Sequence, residues 1–69
     1  MEVDVKVLKE LREDRAYSVR ELAQKAGISH TTLWKLETEH GRDVHPRTVR
    51  LLSEALGVTP RELRGQEKS

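Results

Sequence analysis

The apolar positions of this chain recur at helical spacing, and the polar residues between them mark where helices start and stop. In residues 19–37, VRELAQKAGISHTTLWKLE, Leu22 and Ala26 stand four apart and Leu33 and Leu36 three apart, so each pair shares one face of a helix. Gly27 tolerates the left-handed conformation that closes a helix and redirects the chain. The stretch is expected to form two short helices meeting at a sharp bend. Its expected core positions are Leu22, Ala23, Ala26, Ile28, Leu33 and Leu36, with Ala23 small enough to let the two axes approach. Ser18 and Ser29 stand where N-caps are needed. Glu21, three residues beyond Ser18, completes a capping box worth about 1 kcal/mol. Tyr17 and Leu22 occupy the positions where a hydrophobic staple sets the angle of the incoming chain.

The same reasoning extends to both sides. A first helix is expected from residue 3 or 4 to residue 15, with Val7, Leu8 and Leu11 as a narrow apolar stripe and Leu8 and Leu11 in the core. Asp4 interrupts that stripe, and the junction Ala16-Tyr17 lacks the glycine that most often closes a helix. The alternation over residues 2–7 also fits a strand, but a lone strand has no partner here. After the bend, EHGRDVH (residues 39–45) is a polar loop, and Pro46 suits the first turn of a fourth helix. Val49, Leu52 and Leu56 form that helix's apolar face and Gly57 ends it. Thr59, Pro60 and Glu62 then start a short fifth helix anchored by Val58 and Leu63. No internal repeat is evident. The expectation is an all-α fold of five short helices in a single domain, residues 1–65, followed by a disordered polar tail, residues 66–69.

Composition narrows the possibilities. The chain has 69 residues, so its core is one small cluster, and it has no cysteine, which excludes disulfides and thiolate metal sites and suits a reducing compartment. No apolar run approaches the roughly 18 residues of a membrane span, and MEVDVKVLKE matches neither a signal nor a transit peptide. A cytoplasmic, nucleoid-associated protein is expected, with no membrane partner. Net charge is only +1, but its distribution is uneven. Residues 1–14 hold five acids against three bases, whereas residues 15–50 hold seven bases against four acids. The positive excess therefore lies on the bent pair of helices and the loop after it, where phosphates would sit.

LKELRED in the first helix, SVRELAQKAGISHTTLWKLE across the second and third, and RTVRLLSEALGVTPRELRG at the end together resemble the Cro/CI (XRE-type) helix-turn-helix DNA-binding family over roughly residues 7–65. The resemblance implies a lambda-repressor-like domain whose third helix enters the major groove. It places His30, Thr31, Thr32 and Lys35 where base edges are read. Lys35 can donate to guanine O6 and N7, the threonines can bond a base or touch a thymine methyl, and His30 can donate to guanine or phosphate. Ser18 and Val19, through backbone N–H groups at a helix start, and Arg20, Arg42 and Arg47 match phosphate-contacting positions. Arg12 and Glu37 match a structural ion pair tying the first helix to the third. The implied partners are double-stranded DNA and a second copy of the chain, in a homodimer that forms weakly or only on DNA through Val58 and Leu63.

Blander readings stand beside these. Lys35 and His30 also fit a solvated helix face, and Arg15, Arg20 and Arg50 fit ordinary surface charge. His40 and His45 flank Gly41, but no third ligand at helical spacing supports a metal site. Ser29 beside His30 lacks any base-orienting third group, so no enzyme and no cofactor are expected. Four features depart from the family pattern: Ala16 replaces a glycine, Val19 replaces a phosphate-binding glutamine, the loop after the third helix is longer, and Trp34 replaces a small or polar residue. Trp34 fits packing against that loop or a contact with a partner. The alternative function is an antitoxin-like or adaptor module that uses the same fold to bind protein.

Overall fold

The computed structural model describes residues 2–39 and 43–64, and among them there are five helices and no strand. The first, α1 (Val5–Asp14), starts at Asp4, whose carboxylate accepts from the N–H groups of Lys6 and Val7 at 3.1 and 3.4 Å. Asp4 thus caps the helix where the apolar pattern marked it only as an interruption. Ahead of it Val3 is buried, and the Asp4 N–H donates to the Leu63 carbonyl at 2.8 Å, which pins the start of the described chain to its end. Leu8 is fully buried, whereas Leu11, expected beside it, is only half-buried. The helix packs on the third and fifth helices.

Three helices end with the same pair of backbone bonds. Behind α1, Ala16 takes a left-handed φ of 58° while its N–H reaches the Glu13 carbonyl and that of Tyr17 reaches Arg12. The closing motif forms without glycine, at a cost of about 1 kcal/mol for the Cβ. Next, α2 (Val19–Ala26) begins at the Ser18–Glu21 capping box and closes at Gly27, φ 76°. The third helix, α3 (His30–Thr38), starts at Ser29. Then α4 (Pro46–Leu56) closes at Gly57, φ 73°, and α5 (Pro60–Leu63) begins at the Thr59–Glu62 capping box.

These last four helices form one construction made twice. Val19, Arg20, Leu22, Gly27 and Leu33 recur 30 residues later as Val49, Arg50, Leu52, Gly57 and Leu63, with Ala23, Ile28 and Ser29 matched by Ser53, Val58 and Thr59. The turn bonds agree as well: Gly27 to Gln24 and Ile28 to Ala23 at 3.2 and 3.0 Å, Gly57 to Glu54 and Val58 to Ser53 at the same two distances. The likeness is confined to the turns and the positions around them, since the helices differ in length, 8 and 9 residues against 11 and 4. Leu22, Ala23, Ala26 and Leu33 are buried, and so are Leu52, Ser53, Leu56 and Leu63. Both sets join Leu8, Leu36, Val44 and Val49 in one core, with Ile28 only partly buried at its edge.

Two surface expectations need correction. Leu63 is fully buried against α1 and α4, so it is not available for a dimer contact, and Val58 is half-buried. Trp34 is 57% exposed and is not packed down as the loop-packing expectation held. Residues 40–42 and 65–69, which include His40, Arg42 and the expected tail, lie outside the described residues.

Candidate nucleic-acid interface

On α3 the inward residues are Leu33, Leu36 and Glu37, and the rest of the helix faces out. His30, Thr31, Thr32 and Lys35 are all exposed, together with Trp34 and Thr38. None of these outward residues is acidic, since the acid of the helix, Glu37, is turned inward. Thr32 has a second task. Its N–H donates to Ser29 Oγ at 3.0 Å, and its own hydroxyl lies 2.9 Å from the same oxygen, so it is part of the cap of α3. The Thr38 hydroxyl is likewise turned back, donating to the Lys35 carbonyl at 3.1 Å.

Glu37 is held by Arg12, and Arg12 does more than pair. Its Nε donates to Glu37 Oε2 at 3.1 Å and its Nη2 to Oε1 at 3.4 Å. Its Nη1 donates to the Tyr17 carbonyl at 2.9 Å, one residue ahead of the Ser18 cap. The two side chains are only 12% and 6% exposed. One planar guanidinium therefore fixes α1, the start of α2 and the last turn of α3 relative to one another, which a single-point ammonium cannot do. The distance between the start of α2 and the outward face of α3 follows from this link.

At the start of α2, the N–H of Ser18 already donates to Glu21 Oε1 at 2.9 Å. The expectation that this N–H anchors a phosphate is therefore corrected for Ser18. What its surroundings leave is the hydroxyl proton, because Ser18 Oγ is the acceptor in the bond from Glu21 N–H. The Val19 N–H opens the helix beside it. Arg20 is exposed and shares an open cleft with Gln24, Ser29 and His30, on the side where α2 meets α3. Arg47 is exposed at the start of α4, and lines a second cleft with His45, Thr48 and Gly27. The exposed bases Arg20, Lys35 and Arg47 thus sit on the elements that meet around the α2–α3 turn.

Sequence reasoning missed His45. It is the N-cap of α4, its Nδ1 accepting from the Arg47 N–H at 3.1 Å, so it positions the backbone at Arg47. Histidine is an uncommon cap, and only the Pro46 that follows hints at it. Among the described residues no cluster of three metal-ligating side chains occurs, and no helix is long and apolar enough to cross a membrane.

The geometry agrees with known proteins. SinR of Bacillus subtilis, the master regulator for biofilm formation, solved in complex with DNA, is 27% identical with a TM-score of 0.79 over 86% of this chain and 97% of that one. The restriction-modification controller protein C.AhdI from Aeromonas hydrophila is 30% identical with a TM-score of 0.77, over 86% of this chain and 88% of that one. A complex of SinR with SinI matches at 25% identity and a TM-score of 0.84, over 93% of this chain and 62% of that one. No curated protein matches the chain. A family model described as a helix-turn-helix domain matches residues 6–65, and the chain belongs to that family, in the Cro/CI branch that its motifs resemble.

Proposed function

We propose that the chain is a sequence-specific DNA-binding transcriptional regulator that inserts α3 into the major groove and acts by occupying an operator, with no catalytic step. The observation that carries this is the acid-free outward face of α3 on a helix whose inner face is buried and clamped by Arg12 and Glu37. A helix held so firmly keeps its shape as it enters the groove. Lys35, His30, Thr31 and the Thr32 methyl are the base-reading groups in this reading. Ser18 through its hydroxyl, Val19 through its N–H, Arg20, Arg42 and Arg47 take phosphates. SinR, similar along nearly all of its solved chain, was solved with DNA, which supports the same partner here. One small domain covers little DNA, so a homodimer on half-sites about 34 Å apart supplies the rest of the affinity.

The test is selection from a randomised duplex library. An enriched sequence is expected, and its absence sinks the proposal. Lys35→Ala should weaken the enriched site by about 1–3 kcal/mol and hardly affect random DNA. Arg47→Ala should weaken both and flatten the salt dependence by about one ion. The SinR–SinI complex favours a second reading, an antitoxin-like or adaptor module whose fold binds protein. Capture of a protein encoded beside it, lost on Trp34→Ala, would support that reading.

A further inference from the structure

Trp34 is the exposed large apolar side chain among the described residues, and it lies on α3. Thr31 and Thr38 stand three residues before and four after it, so all three share the outward face, with Lys35 adjacent. Long side chains on a helix lean toward its N-terminus, which carries the indole over the turn presenting His30 and Thr31. Its neighbours on that face are threonines, a histidine and a lysine, so Trp34 is a single apolar plate on a polar, basic surface. A protein-docking face would need apolar neighbours to make a continuous patch, and none adjoin it on α3. A major groove offers what this surface fits: phosphates and acceptor edges for the bases, and thymine C5-methyl groups for the plate.

We propose that Trp34 is a specificity-determining residue that packs its indole on a thymine methyl in the major groove, selecting T·A at that step. This rests on the reading of α3 as the groove-entering helix. It uses surface that is already exposed, so removing the indole should not disturb the fold.

The experiment uses the full chain and the duplex enriched by selection. Each thymine is replaced in turn by deoxyuridine, which removes only the methyl, and affinities are measured for the wild-type chain and for Trp34→Ala. One thymine, or two adjacent ones, should show about a fourfold loss for the wild-type chain when demethylated, the worth of one buried methyl. The same replacement should leave Trp34→Ala unchanged, while Trp34→Ala should bind the unmodified duplex about tenfold more weakly. The chain holds one tryptophan, so its emission should also shift on binding that duplex. If an enriched site exists but no demethylation matters, or if it costs Trp34→Ala as much as the wild type, the proposal is overturned while groove reading stands. If no sequence is enriched, both fall. Unchanged thermal unfolding of Trp34→Ala separates a binding loss from a folding loss, and a large drop in stability would also count against the proposal.

Discussion

Residues 19–33 and residues 49–63 are built alike, yet one copy faces outward and the other closes the core. Each is a helix, a left-handed glycine, a branched apolar residue, a hydroxyl cap and a leucine at the fourth position of the next helix. Both leucines, Leu33 and Leu63, are fully buried. The copies part company after that point. In the first, the helix runs on to Thr38 and gains an outward face and a carboxylate for Arg12. In the second, it stops at Leu63, whose carbonyl takes the Asp4 N–H. The turn itself is therefore a packing device. What makes a reading element of it is the length of helix beyond the buried leucine, and the clamp that this length can accept.

The largest effect should come from breaking the closing copy. Leu63→Ala removes a fully buried side chain from a four-residue helix with no other buried residue. It should cost about 3–5 kcal/mol, the usual range for a core leucine, measured as a shift in the urea midpoint. Leu33→Ala should cost a similar amount. A loss under about 1 kcal/mol for Leu63→Ala would mean that the second copy is an appendage, contrary to its burial.

How much of this could be read from the chain depends on how local the chemistry is. Ser18, Ser29, Thr59, Gly27 and Gly57 were legible because a cap or a left-handed glycine is settled by residues within one turn. Val3 and Val44 were not legible as core, because their burial depends on elements distant in sequence. Ser53 was hidden for a different reason: a hydroxyl suggests surface, yet it is buried with its donor satisfied by the Arg50 carbonyl at 2.8 Å. On the interface, the family resemblance, not residue type alone, singled out Lys35 and Arg47. That Thr32 and Ser18 already spend hydrogen bonds on caps is geometry, and no spacing of letters reveals it. Resemblance supplied the Arg12–Glu37 pairing, but not the third bond to Tyr17 that links it to α2.

That third bond frames the next test, smaller in energy and sharper in what it separates. Glu37→Gln keeps the shape of the side chain and removes the charge that Arg12 answers. It should cost about 2 kcal/mol of stability, the scale of a hydrogen bond to a charged group, because the pair is nearly buried. Among the described residues the closing copy has no such clamp, so nothing comparable is expected from any charge on α5. Beyond stability, Glu37→Gln should weaken the selected duplex more than random DNA, because loosening α3 blurs base contacts while leaving Arg20 and Arg47 in place. Equal losses on both duplexes would show that the clamp serves the fold alone.

The smallest effect is also the one that compares the two turns most directly. A Cβ added at Gly27 or Gly57 meets no atom within 4 Å, so neither substitution is blocked by its surroundings. The cost is in the backbone, where an alanine at positive φ loses about 1 kcal/mol. Gly27→Ala and Gly57→Ala should therefore lower stability by similar amounts, and Ala16→Gly, at φ 58°, should raise it by about as much. Binding should tell the two turns apart. Any relief of the strained φ at residue 27 rotates α3 relative to α2 and misaligns Lys35 with the start of α2, where the proposed reading puts phosphate contacts. The same relief at residue 57 rotates only α5, which has no outward helix to misalign. After normalising for the folded fraction, Gly27→Ala should bind the selected duplex more weakly than Gly57→Ala. If the two bind alike, the turn geometry is not what sets the aim of α3, and the Arg12 clamp alone must hold it.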